Sequence, residues 1–245
     1  MTCPPPTVLA ATVMALALAG HAGAQESAQP GAPPPQGLVR EPTAHTATRL
    51  LVARSGKLDR LGWIEAESTF SPGEGMTYRI VREGGDKRIR QRVLRKVLDS
   101  EVAMSAPDAA PRFALSSDNY RLQPGAGGRV RLTPLRREPA LVDGVAVVGA
   151  DGQLSTVEGR LARSPSFWVR SVRVSRTYRQ VGGHALPVHV ESVADVRFAG
   201  PCEFSMWIDY TTVDGLPVTR AVARRVPPAS AASSLLVAWH LRADR

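Results

Sequence analysis

The chain has 245 residues, enough for one domain of about 200 residues with its own hydrophobic core. It has two cysteines, and Cys3 lies in a segment predicted to be removed, so an intramolecular disulfide is excluded. The net charge of +9 comes mostly from arginine, because Lys57, Lys87 and Lys96 are the only lysines among 31 basic residues. This balance is typical of a GC-rich coding sequence, and it also allows approach to anionic lipid head groups.

The N-terminal segment predicts export. An apolar run from Val8 to Gly20 is followed by Ala22, Gly23 and Ala24, a pattern typical of a signal peptide cleaved after residue 24. The run is too short to span a bilayer as a helix, which needs about 20 apolar residues. We therefore expect a periplasmic protein, secreted through a cleavable signal peptide over residues 1–24, with no transmembrane segment after cleavage.

Composition divides the rest of the chain into three parts. Residues 25–42 are rich in proline, glycine and glutamine and predict a flexible or extended linker. Residues 43–220 hold the patterned sequence and predict the folded domain. Residues 221–245 form a C-terminal tail whose apolar patch is too short to cross a membrane. That tail is compatible with a mobile segment and with a final edge segment.

The first elements of the domain are predicted from short apolar pieces. Leu50, Leu51 and Leu58 indicate one short helix. The stretch "GWIEAESTFSPGEGMTYRIVREGG" predicts two strands around a Ser-Pro-Gly turn.

One longer helix follows, with Asp86 as its N-cap and an end near Met104, before Pro107. Its apolar residues recur at helical spacing and share a face: Ile89, Val93, Leu94, Val97, Leu98 and Val102. Residues 105–128 are predicted to be rich in loops.

From Arg129 to Gly215 the sequence predicts successive strands, joined by Asp-Gly and Gly-Gly turns. Three segments alternate between an apolar and a solvated face, which indicates an antiparallel meander. The first face carries Trp168, Val172, Val174 and Tyr178, together with Arg170 and Arg176. The second carries Leu186, Val188 and Val190. The third carries Cys202, Phe204, Met206, Ile208 and Tyr210.

The same alternation argues against nucleic-acid binding. Arg170 and Arg176 differ in strand phase from Arg173 and Arg179, so they do not form one cationic stripe for phosphates. Export also separates the chain from nucleic acid.

Catalytic motifs are not recognisable, and we expect no enzyme, no metal and no cofactor. Cys202 is in phase with apolar neighbours, which favours a core residue over a reactive thiolate. His184 and His189 have opposite phase, so they cannot pair as metal ligands on one strand. Glu65 and Glu67 share a face, but a solvated strand edge explains them better than a catalytic dyad.

These patterns predict a mainly β (α+β) fold: an unclosed antiparallel barrel with a helix over its concave apolar face. Two readings of that face remain open, a filled core and a cavity for an apolar ligand. The candidate cavity residues are Trp168, Val172, Val174, Leu186, Val188, Val190, Phe204, Met206 and Ile208. The covering helix contributes Ile89, Val93 and Val97.

Several stretches carry a family resemblance over roughly residues 49–215. They are "YRIVREGGDKRIRQRVLRKVLDSE", "DNYRLQP", "RVRLTPLRREPALVDG", "EGRLARSPSFWVRSVRV" and "GGHALPVHVES". With them the chain resembles outer-membrane lipoprotein-sorting proteins of the LolA/LolB-like superfamily. The resemblance is stronger to a periplasmic branch of this superfamily than to the carriers themselves.

The resemblance implies an unclosed barrel plugged by helices, with lipid or lipoprotein acyl chains as partners held in its cavity. The chain departs from the carriers because its sequence shows one clear helix where they have several. The resemblance assigns no gating residue to this chain. It therefore implies either a periplasmic carrier or an envelope sensing or interaction module without a transported ligand.

Overall fold

The protein is described by a computed structural model over residues 44–218. Within that range eleven strands and one main helix are present. The strands are β1 His45–Ser55, β2 Arg60–Ser71, β3 Gly75–Gly85, β4 Tyr120–Pro124, β5 Arg129–Pro134, β6 Val142–Val148, β7 Leu154–Leu161, β8 Val169–Val181, β9 His184–Val196, β10 Gly200–Val213 and β11 Leu216–Pro217. The predicted signal peptide, linker and tail lie outside the described residues.

All eleven strands belong to one antiparallel sheet. Its order in space is β3-β2-β1-β10-β9-β8-β7-β6-β5-β4, with the short β11 paired to β10. The outer strands β3 and β4 are not paired with each other, so the sheet curls without closing. The helix α1, residues 87–105, lies between these two strands in the chain and covers the concave face. The predicted fold class, an unclosed half-barrel with a helix, is confirmed.

The prediction of a short helix around Leu50 and Leu51 is wrong, because these residues lie in β1. Leu51 faces the concave core, whereas Leu50 and Val52 are buried on the other side of the strand. A strand that is buried on both faces has a continuous apolar sequence rather than an alternating one. Periodicity alone therefore does not distinguish it from a buried helix. Leu58 lies in the turn between β1 and β2 and is exposed.

The helix begins where the sequence predicts. The Asp86 carboxylate accepts hydrogen bonds from the backbone N–H groups of Arg88 (2.8 Å) and Ile89 (3.0 Å), as an N-cap does. The α-helical turn Lys87–Ile89 passes into a π-helical turn, Arg90–Leu94, and then into the regular helix Arg95–Ser105. The predicted end before Pro107 is confirmed.

The prediction that residues 105–128 are rich in loops agrees with the structure. They include the short strand β4 and two single-turn 3₁₀ segments, Ala110–Phe113 and Ala126–Gly128. No helix within residues 44–218 is long and apolar enough to cross a membrane.

The concave face forms the main core. Side chains from both walls of the curled sheet are buried with the inner face of α1. The core residues of the helix are Ile89, Leu94, Val97 and Leu98. Those of the sheet include Ala47, Leu51, Ile64, Leu132, Val157, Val174, Val190 and Met206. Burial of this aliphatic surface is the main favourable contribution to folding.

Two glycines allow β6 and β7 to approach each other closely. Gly144 and Gly159 are directly paired, and a Cβ on Gly159 would overlap the carbonyl oxygen of Asp143. No side chain larger than hydrogen fits there without displacing a backbone.

We predict that Gly159→Ala lowers the free energy of unfolding by about 1–3 kcal/mol, because the added methyl group overpacks the β6–β7 pair. Urea denaturation followed by tryptophan fluorescence measures it. Gly73→Ala is the matched control, since a Cβ on Gly73 meets nothing within 4 Å. Equal stability of the two variants would contradict the close approach.

Candidate functional site

A buried ion pair joins the helix to the sheet at the centre of the concave face. Arg49 of β1 and Glu101 of α1 are each 1% exposed, and Arg49 Nη1 donates to Glu101 Oε2 at 2.5 Å. Arg49 Nε also donates to Ser68 Oγ on β2 at 2.8 Å. Strand alternation points Arg49 inward with Leu51, and helical spacing places Glu101 on the same face as Val97. The pair therefore lies inside the apolar core.

A second guanidinium shares this interior. Arg176 of β8 is 2% exposed, and its Nε and Nη2 atoms have no hydrogen-bond partner among the described residues. Glu101 Oε1 also has none. Arg176 and Arg49 both act electrostatically on Glu101. We call Arg49, Glu101 and Arg176 the polar centre, which holds two guanidinium charges against one carboxylate.

Burial controls the ionisation of the polar centre. It raises the pKa of Glu101 above its ordinary value, because a desolvated carboxylate is disfavoured, and the charges of Arg49 and Arg176 oppose that shift. Burial likewise raises the pKa of Tyr120 to about 12 and raises that of Tyr210. Both phenols stay neutral at physiological pH, so neither offsets the excess cationic charge.

The phenols near the centre have backbone partners. The Tyr120 hydroxyl accepts from the backbone N–H of Val142 at 3.0 Å, and the Tyr210 hydroxyl donates to the carbonyl oxygen of Pro187 at 3.1 Å. These hydrogen bonds fix both rings in the wall of the barrel. Their role is accordingly to shape the interior.

His45 lies at one end of the same concave face. Its ring stacks on Phe70 with centroids 5.1 Å apart and meets the edge of Tyr210 at 5.3 Å. Neither ring nitrogen has a hydrogen-bond partner among the described residues. Burial, assisted by the charge of Arg49 and opposed by that of Asp214, lowers the pKa of His45 to about 3. The ring is therefore neutral over the physiological range.

Most of the predicted cavity residues come together in the main core. They are Val174, Leu186, Val190, Phe204, Met206 and Ile208, with Val188 partly buried against them. The helix residues Ile89 and Val97 belong to the same cluster, and Val93 packs on it. Their common location is as expected, whereas their role as a ligand-binding wall stays a prediction.

Two predicted residues lie elsewhere. Val172 is buried in a separate, smaller cluster with Val169, Ala194 and Val196. Trp168 precedes β8, which begins at Val169, and the pairing with β9 shifts between Val169 and Ser171. The alternation of β8 therefore does not extend back to Trp168.

Trp168 instead belongs to an exposed aromatic group, which we call the aromatic tip: Phe167, Trp168 and Phe198. The Trp168 ring centroid lies 5.5 Å from that of Phe167 and 6.0 Å from that of Phe198. Phe167 is 71% exposed and Phe198 is 77% exposed. The guanidinium of Arg197 lies 4.5 Å from the Phe167 ring centroid. Exposed aromatic groups of this size are typical of interaction surfaces.

The other residues considered from the sequence have structural partners. Burial raises the pKa of the Cys202 thiol, which disfavours a thiolate. His184 Nε2 lies 2.8 Å from an Asp214 carboxylate oxygen, and the His189 ring stacks on Trp207. Within residues 44–218 no group of three or more His, Cys, Asp or Glu side chains is arranged to hold a metal.

The two acidic residues of β2 also have partners. Glu65 and Glu67 pair with Arg82 and Arg79 of β3. Both carboxylates thus stabilise charged side chains of the neighbouring strand.

Only one feature of the sequence points to the polar centre. Arg176 shares the inward phase of Val174, and a charged residue on an apolar face is unusual. Arg49 lies in a segment for which the sequence predicts a helix, so its inward position on a strand is not predicted. Glu101 lies among other charged residues of α1, and nothing in the sequence distinguishes it from them. Their meeting depends on how the helix crosses the sheet.

Comparison with protein-family models finds no match to this chain, and a search of curated proteins finds no significant match either.

We predict that Glu101→Leu lowers the free energy of unfolding by about 3–5 kcal/mol, because it leaves the Arg49 charge buried without its partner. The double variant Arg49→Met with Glu101→Leu should recover part of the loss, because it removes the unpaired Arg49 charge but leaves Arg176 without a carboxylate. Urea denaturation measures both. Glu67→Leu, which breaks the exposed pair with Arg79, should cost less than about 1 kcal/mol. A loss from Glu101→Leu no larger than that of this control would contradict the buried pair.

A second prediction concerns pH. The folded state keeps His45 neutral down to about pH 3, whereas the unfolded chain binds a proton near pH 6.5. Stability is therefore lost as pH falls below about 6.5. Between pH 7.5 and pH 5 the wild type should lose about 2 kcal/mol more than His45→Phe, measured by urea denaturation. Parallel pH profiles of the two proteins would show that His45 is not held neutral.

Proposed function

We propose that the protein is a non-enzymatic periplasmic carrier that holds lipid or lipoprotein acyl chains and acts in outer-membrane lipoprotein sorting. The observation that carries this proposal is the apolar concave face of a many-stranded sheet, covered by one helix. The acyl chain would lie between that face and α1. No step of the proposed activity makes or breaks a covalent bond.

The attachment of α1 supports its role as a movable cover. Polar contacts hold the helix to the edge strand β3: Ser105 Oγ accepts from Met76 N at 2.7 Å, and Tyr78 donates to Asp99 at 2.8 Å. The backbone of the helix runs closest to β1, β2 and β3. Rotation about the β3 edge would break the Arg49–Glu101 contact and uncover the wall formed by β4 to β9, without breaking any hydrogen bond between strands.

The chemistry of the core supports an acyl ligand. Outside the polar centre, the sheet and the helix meet through apolar side chains, so a hydrocarbon chain there replaces apolar contacts with apolar contacts. Burying sixteen carbons gains on the order of 10 kcal/mol at ~0.8 kcal/mol per CH₂ group. That gain must exceed the cost of separating the helix from the sheet.

A second candidate function is an envelope interaction module without a transported ligand. The aromatic tip favours it, because Phe167 and Phe198 expose large apolar surfaces beside Arg197. This surface lies outside the main core and does not need α1 to move.

We predict that the full chain recovered from the periplasm carries acyl species, detected by native mass spectrometry and by lipid extraction. Val188→Asp should abolish this cargo, because it places a charge beside the apolar wall. Ser171→Asp, which adds the same group on an exposed outward position of β8, should retain it.

Two other results would oppose the carrier. Wild-type protein that is free of acyl species and captures one envelope protein through the aromatic tip would establish the interaction module. Equal cargo in Val188→Asp and Ser171→Asp would show that the concave face does not hold the chain.

A further inference from the structure

The polar centre contains a cation that the described chain does not neutralise. Even with Glu101 fully ionised, its single charge faces both Arg49 and Arg176. The carboxylate is in contact with Arg49, while Nε and Nη2 of Arg176 are buried without an acceptor among the described residues. A buried guanidinium without acceptors is costly, since its lost hydration is not replaced.

The missing acceptor has a definable chemistry. A guanidinium presents parallel N–H groups that match two oxygens of a carboxylate or a phosphate. One such anion would give Arg176 the acceptor that Glu101, which is in contact with Arg49, does not supply. A head group without an anionic moiety, such as an alcohol, would supply neither the charge nor the paired oxygens.

We propose that Arg176 binds the anionic head group, a carboxylate or a phosphate, of the acyl ligand held in the barrel. This inference rests on the proposed carrier function and specifies its ligand class. The hydrocarbon chain lies along the aliphatic wall next to Arg176, which includes Val174 of the same strand and Val190 of β9. Head-group selection thus comes from inside the barrel rather than from its rim.

Glu101 is displaced when the proposed ligand binds. Its carboxylate belongs to α1, so it leaves the centre when the helix moves. The ligand anion then meets Arg176 together with Arg49, which has lost its partner. The anion of the ligand thus takes the place of the Glu101 carboxylate as the counter-charge beside the two arginines.

The experiment compares ligands with one hydrocarbon chain and different head groups: dodecanoate, dodecyl phosphate and dodecanol. Each competes with a fluorescent acyl probe for the full-length protein. We expect at least one of the two anions to bind the wild type about tenfold or more tightly than dodecanol. The anion that binds more tightly shows whether the site prefers a carboxylate or a phosphate head group.

Arg176→Gln should reduce this preference to about twofold or less, because it removes the charge and the paired donors. Arg176→Lys should restore part of it as a point charge. Arg179→Gln, on an exposed position of the same strand, should leave it unchanged. Retained dodecanol binding shows that a variant is folded.

The outcomes separate the two proposals. If the wild type binds dodecanol as tightly as both anions, or if Arg176→Gln keeps the anion preference, the head-group site is overturned while acyl binding stands. If none of the three ligands displaces the probe, the carrier function itself fails, and the head-group site fails with it.

Discussion

The buried contact between Arg49 and Glu101 is the constraint on which the interior depends. It is the point at which a charge of the helix meets a charge of the sheet inside an aliphatic core. Desolvation of both groups offsets much of their attraction, so the pair adds little net stability. Its effect is on geometry, because any displacement of α1 separates two buried charges. The position of the helix on the sheet is thereby defined more sharply than apolar packing alone would define it.

The order of the strands explains why one helix occupies this position. The strands β1 to β3 and β4 to β10 form two runs of sequential neighbours. Pairing of β1 with β10 joins these runs and leaves β3 and β4 as the outer strands. These two strands are consecutive in the chain, so the segment between them must pass from one edge of the half-barrel to the other. An amphipathic helix in that segment buries its apolar face on the concave side. The cover is therefore a consequence of the topology.

The features that the sequence predicted are those with a clean local period. The core face of β8 from Val174 onward and the faces of β9 and β10 follow from alternation, and the start of α1 follows from the Asp86 cap. β1 was missed because Leu50 and Val52 are buried opposite the concave residues. β4 was missed because it is short and flanked by turn-forming residues. The polar centre joins positions 49, 101 and 176, and contacts so distant in sequence leave no local period to read.

Arg176 links the closed state to the proposed ligand. A ligand that requires α1 to move must overcome the loss of the Arg49–Glu101 contact. Its affinity therefore depends on how much more strongly it interacts with the arginines and the core than Glu101 and the helix do. A neutral apolar molecule has only hydrocarbon burial to offset that loss. In the proposed carrier, an anionic lipid would also replace the departing carboxylate and supply Arg176 with the acceptor that residues 44–218 do not provide. In the proposed carrier, the excess cationic charge would therefore reduce the cost of opening selectively for anionic lipids.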